Sequence, residues 1–165
     1  MRSRVYQLST SPGGIPKYAV PQAEVTPLGL AGDKHRNMQV HGGPNKAVLI
    51  ATLEGLGELN AAGFDLSPGA LGENITTEGL DRRTVRIGQR YRLGSDVMLE
   101  ITQLRTPCFN LDVYSKELGK AIYDAQCKAG DASSPRWGLG GFYASVTRPG
   151  PLRPGAPILF LDQDV

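Results

Sequence analysis

Arg105-Thr106-Pro107-Cys108 sets a thiol three residues from a guanidinium, behind a proline that stiffens the turn. A cation that close favours the thiolate, the form that attacks electrophiles and binds soft metal ions. The same cysteine also reads as a buried structural thiol, because free cysteine is among the most buried residue types. Cys127 lies within a helical pattern without such a neighbour and reads as structural.

A second concentration of chemistry runs through Gly29 to Asn37 and on from Val40 to Lys46. It combines glycines, Gly42 and Gly43 among them, with Lys34, Arg36 and Lys46 and with both histidines of the chain, His35 and His41. Exposed backbone N–H groups beside cationic tips make a cradle for an anion. A solvated loop with turn glycines is the plainer reading. That both histidines fall in this one loop favours the cradle. In Gly69-Ala70-Leu71-Gly72-Glu73-Asn74-Ile75-Thr76, the Asn74 amide stands between a glycine turn and a strand start, where it donates to an anion or holds a loop. Arg136-Trp137-Gly138-Leu139-Gly140-Gly141-Phe142-Tyr143 lets backbone approach a ligand between aromatic walls, or is simply core and turns.

Short strands must position these segments. Val5–Leu8 opens as a strand, and Ser11–Lys17 follows as a turn. Ala19–Val25 reads as an edge strand interrupted by Pro21, Gly29–Asn45 as an ordered loop, and Ala47–Ala51 as a buried strand. A helix is predicted over Thr52–Ala62, with Leu53, Leu56 and Leu59 on one face and Gly63 as its stop. Pro68–Asn74 reads as a loop, then Val85–Leu93 and Val97–Leu104 as an antiparallel pair turning at Gly94-Ser95-Asp96. Leu111–Ala129 reads as mainly helical, Trp137–Val146 as loop into strand, and Leu152–Leu161 as a closing strand bent at Pro154-Gly155. The implied fold is α+β but mostly β, a barrel with a few capping helices.

The 165 residues imply one domain over 1–165 with its core at about 20–161. A net charge of +2, with 18 basic residues spread among 16 acids, excludes a dense basic stripe and argues against nucleic acid as partner. Two cysteines without CxxC spacing make no disulfide framework. The N-terminus carries no apolar segment behind its basic residues, and no run reaches transmembrane length, so a cytoplasmic protein without a membrane partner is expected.

Gly32-Asp33-Lys34-His35, His41-Gly42-Gly43 with Lys46-Ala47-Val48, Gly72-Glu73-Asn74-Ile75-Thr76, Ile87-Gly88 and Arg105-Thr106-Pro107-Cys108 stand in the order and spacing of the MOSC family. That family takes its name from the C-terminal domain of molybdenum cofactor sulfurase, and this chain resembles its short bacterial members. The resemblance implies a β-barrel pocket for a molybdenum–pterin cofactor, with Cys108 ligating the metal. It implies that Lys34, His35, Arg36, His41, Gly42, Gly43, Lys46, Asn74 and Arg105 supply contacts to cofactor or substrate. Some members reduce N-hydroxylated compounds; others carry sulfur as a persulfide on the matching cysteine. Gln89 stands where many relatives carry Asp, which reads as a turn detail. The resemblance does not extend to the extra N-terminal β domain of larger members, so the pocket is expected to close another way, by dimerisation, or to hold its cofactor more loosely.

Two catalytic expectations follow. As a reductase acting on a small molecule, the chain needs a separate electron-donating reductase. Gly55-Leu56-Gly57 lies in a helical pattern rather than at a strand–helix turn, and no cysteine cluster suits an iron–sulfur centre. As a sulfurtransferase, it needs a sulfur donor. A non-catalytic metal or anion module built from His35, His41, Cys108 and Cys127 lacks zinc-site spacing.

Overall fold

The computed structural model describes residues 2–34 and 42–161. In chain order the elements are β1 (Arg4–Thr10), β2 (Tyr18–Val20), β3 (Ala23–Thr26), β4 (Gly29–Leu30), β5 (Val48–Thr52), α1 (Leu53–Ala61), β6 (Ile75–Glu78), β7 (Arg90–Leu93), β8 (Val97–Leu104), α2 (Leu118–Ile122), α3 (Ala125–Lys128), β9 (Phe142–Arg148), β10 (Gly150–Leu152) and β11 (Ile158–Leu161). The fold is mostly β with a few short helices. Among the described residues no helix is long and apolar enough to cross a membrane.

Eight strands form one sheet in the order β11-β7-β8-β9-β5-β6-β1-β2, and β10-β3-β4 form a second. Among the described residues only β5 and β6 pair in parallel, and α1 occupies the crossover between them. The ends of the larger sheet also meet: Val5 N donates to Ala156 O at 2.8 Å, Gly155 N to Val5 O at 2.7 Å and Ile158 N to Ser3 O at 2.9 Å.

Side-chain alternation explains how the sheet builds its interior. Along β8, Val97, Leu99 and Ile101 are buried while Met98 and Glu100 are not. They join Val5, Leu8, Ile75, Leu93 and Phe142 in one apolar cluster. All of β5 is buried, because both its edges are paired and both its faces are covered. Val48 and Ile50 face that cluster, whereas Ala51 packs with Leu56 and Leu59 of α1 in a second one. Leu71, Leu111, Leu118 and Ile122 complete the second cluster, each such buried side chain contributing about 1.5–3 kcal/mol. Thr52 caps α1 by accepting from Gly55 N, and Gly63 with φ 109° follows its end, as its sequence predicts.

Five expected elements are different. The loop expected over Gly29–Asn45 begins as β4, and the strand expected over Leu152–Leu161 is divided between β10 in the smaller sheet and β11 in the larger. The strand expected over Ala19–Val25 is broken at Pro21 into β2, which pairs with β1, and β3, which pairs with β4 and β10. Val85–Leu93 is a strand only from Arg90. Gly88 at φ 91° turns the backbone, and Gln89 Oε1 closes the turn by accepting from Arg86 N and Tyr91 OH, both at 2.8 Å. The helix expected over Leu111–Ala129 is three short pieces, a 3-10 turn at Phe109–Val113, then α2 and α3. Tyr123 and Asp124 are extended, and the Asp124 carboxylate caps a fresh turn by accepting from Cys127 N at 2.8 Å.

Candidate functional site

A cavity of about 530 Å³, its open mouth included, lies where four segments converge: residues 14–17, Lys34, residues 71–74 and the turn after β8. Arg105, Cys108 and Asn110 line it from that turn, Tyr143 from the strand paired with β8, Lys46 from the turn before β5, and Ile15, Leu49 and Leu71 as apolar wall. Among the described residues that line it are four cations, Lys17, Lys34, Lys46 and Arg105, and no carboxylate.

Cys108 is brought there by its backbone. It is the extended residue that opens the 3-10 turn, so its side chain leaves the helical path; its sulfur makes no cap bond to that turn. Arg105 N donates to Gly141 O at 3.0 Å, which pins the end of β8 to the start of β9. Gly141 must be glycine, because its φ is 97° and a Cβ would meet Ile50 O at 2.5 Å. The Arg105 guanidinium is 3% exposed. Its Nη1 donates to Gly140 O at 3.3 Å and its Nη2 to Cys108 Sγ at 3.9 Å, while its buried Nε has no acceptor among the described residues. A buried cation thus stands beside the thiol.

Lys46 ends a 3-10 turn, Pro44–Lys46, whose approach is made by Gly43 at φ 84°. Thr102 Oγ1 donates to Asn45 O at 2.5 Å and ties that turn to β8. The Lys46 ammonium lies 5.3 Å from the centroid of the Tyr143 ring, a cation–π contact. Burial pushes the Tyr143 hydroxyl up; the Arg105 charge pulls against that, and Cys108 adds to it.

The opposite wall is organised by Asp33. Its carboxylate accepts from Ser11 N at 2.9 Å, from Asn74 Nδ2 at 2.8 Å and from Lys17 Nζ at 2.7 Å to each oxygen. The Lys17 and Asp33 side chains are only 7% and 3% exposed, and removing one partner of such a pair costs about 3–5 kcal/mol. Asn74 is a latch: Oδ1 accepts from Leu49 N at 3.1 Å, and Nδ2 also donates to Ser9 O at 3.3 Å. Glu73 is fully buried, its carboxylate accepting from Leu71 N and Thr76 Oγ1 at 3.1 Å each; burial pushes its carboxyl up against those bonds.

Of the residues singled out from sequence, Cys108, Arg105, Lys34, Lys46 and Asn74 meet at one cavity. Gly42 and Gly43 do not line it; they lead into the turn that delivers Lys46. His35, Arg36 and His41 lie outside the described residues. Sequence reasoning passed over Lys17, Asn110 and Leu49. Lys17 carried no signal, because a lysine ending a turn is ordinary and its partner Asp33 is 16 residues away. Cys127 is elsewhere, its Sγ donating to Ser134 Oγ at 3.4 Å in a buried contact. Among the described residues no three His, Cys, Asp or Glu converge on a metal site.

The family model described as the MOSC domain matches residues 37–159. Protein YiiM of Escherichia coli (strain K12) is 32% identical over 109 residues, 62% of this chain and 48% of that protein. A protein of Gibberella moniliformis named Reductase is 36% identical over 90 residues, 51% of this chain and 16% of that protein. The chain therefore spans about half of one curated relative and a small part of the other. The crystal structure of YiiM from Geobacillus stearothermophilus superposes with a TM-score of 0.70 at 24% identity, over 97% of this chain and 75% of that one, a likeness of fold.

Proposed function

We propose, on the premise that this chain belongs to the MOSC domain family, that its cavity binds a molybdenum–pterin cofactor with Cys108 as thiolate ligand, and that the holoprotein is a reductase of N-hydroxylated compounds. The observation that carries this reading is the pairing of one thiol with four cations, and no carboxylate, among the described lining residues. The donor set fits the group: a soft sulfur for the metal, ammonium groups for the phosphate, and a buried guanidinium N–H without an acceptor. The bound cofactor would supply two-electron chemistry on an N–O bond.

Cys108 holds the metal, and Arg105 sets the orientation and charge of that sulfur from 3.9 Å. Lys17, Lys34 and Lys46 bind the anionic end of the pterin, and Ile15, Leu49 and Leu71 exclude water from one wall. Asn110, two residues after Cys108 in the chain and lining the same cavity, would orient the substrate. Electrons come from a separate reductase. The name of the fungal relative supports reduction as the reaction class. We further read the larger sheet as a barrel closed between β1 and the approach to β11, which the bonds from Ser3 and Val5 to residues 155–158 support.

The test is reduction of an N-hydroxylated amidine by protein made in cofactor-competent cells, with a chemical one-electron donor replacing the partner. Turnover by wild type and none by Cys108→Ala is the result this reading requires. Turnover at equal rates overturns the Cys108 assignment. No turnover by wild type, with labile sulfur on Cys108, transfers the site to sulfur carriage.

A further inference from the structure

Lys17 differs from the other ammonium groups of the cavity. Lys34 is exposed and Lys46 is half-buried, but Lys17 is 7% exposed and still lines the cavity. An ammonium carries three protons. The bonds of Lys17 run to the two oxygens of Asp33, and the remaining proton has no acceptor among the described residues. Its backbone is equally fixed. Lys17 N donates to Gly69 O at 2.9 Å, and a Cβ on Gly69 would collide with Lys17 O. Lys34 N donates to Ser11 O at 3.0 Å, which seats the neighbouring loop on the same wall. A buried ion pair is seldom more stabilising than an apolar pair of the same volume. Stability alone therefore gives little reason for this pair to stand in a cavity wall.

We propose that Lys17 is the buried cation that receives the anionic group of the ligand, by chemistry a phosphate, and that Asp33 is a positioning residue fixing where that ammonium stands. The identification of the phosphate with the end of a pterin cofactor rests on the functional reading above; the anion site itself does not.

The cofactor-free chain is titrated with inorganic phosphate at constant ionic strength, with calorimetry for affinity and thermal melting for stability. Lys17→Met combined with Asp33→Asn removes both charges together. It should stay folded, melting lower because an amide has one acceptor oxygen where the carboxylate served both Ser11 N and Asn74 Nδ2, yet bind phosphate at least about tenfold more weakly. Lys34→Ala, at the exposed rim, should weaken binding by only about two- to threefold. Asp33→Asn alone leaves the ammonium without its counter-ion. It should melt lower, and phosphate should raise its melting temperature by less than it raises that of wild type, because the ammonium is no longer held where the phosphate meets it. A merely structural Asp33 gives the same phosphate-induced rise in both proteins and overturns the positioning role. Equal phosphate affinity in wild type and the double variant overturns the Lys17 site, whatever the molybdenum content of the protein. Phosphate binding that depends on Lys17, in a chain that never acquires molybdenum, keeps the anion site and removes the cofactor as its source.

Discussion

The two cysteines of this chain belong to short helical turns, one opening its turn and one inside it, and their surroundings are opposite. Cys108 opens its turn, faces a cavity and has the Arg105 guanidinium 3.9 Å from its sulfur. Cys127 lies inside α3, 4% exposed, with Ser134 Oγ 3.4 Å from its sulfur and the Asp124 carboxylate holding Ser134 in turn at 2.7 Å. Burial above all pushes the Cys127 thiol up and the anion beside it adds to that, while its contacts with Ser134 and the Asp124 backbone pull only partly against them. A cation and an opening stand beside one sulfur, an anion and a closed shell beside the other. The two thiols are distinguished by their neighbours, not by residue type.

Alkylation of the native protein at neutral pH presses hardest on this difference. Cys108 should react at least about 100-fold faster than Cys127, because modification of Cys127 requires local opening. Peptide mapping after a short pulse measures both rates, and comparable rates would erase the contrast. Arg105→Ala should sharpen it. Loss of the guanidinium shifts the pH midpoint of Cys108 alkylation upward, and loss of the Gly140 bond destabilises the fold by about 1–3 kcal/mol by denaturant titration. An unmoved midpoint would show that Arg105 is only a brace. The smallest effect belongs to the other region. Bonds from Cys127 N and Ser134 hold the Asp124 carboxyl below the ordinary carboxylate range. Its folded value is depressed, so its stabilisation is present above the unfolded value near 3.8 and disappears as pH falls below it. Asp124→Asn should therefore lose stability relative to wild type at pH 7 and close the gap in strong acid. A gap independent of pH would remove the charge from that cap.

Much of this contrast was legible in the sequence. The Arg105–Cys108 spacing marks a cation near a thiol, and the alternation of Val97, Leu99 and Ile101 marks the strand that delivers it. The apolar run into Thr52 likewise marks a buried strand and a helix cap. What stayed hidden depends on partners far apart in the chain. Asn74 reads equally as an anion donor or as a loop holder until its amide is found bonded to Leu49, Ser9 and Asp33, the last 41 residues away. Lys17 has no local signature, because only folding sets it against Asp33. The break between α2 and α3 was missed although Asp124 is a good helix cap, since apolar residues on both sides keep a helical period across it.

The central claim is that Cys108 is the metal ligand, and the most direct test is molybdenum and pterin content of protein purified from cofactor-competent cells, comparing wild type, Cys108→Ala and Cys127→Ala. The account predicts near-stoichiometric molybdenum in wild type and Cys127→Ala and loss of it in a folded Cys108→Ala. Molybdenum retained by Cys108→Ala at the wild-type level would contradict it.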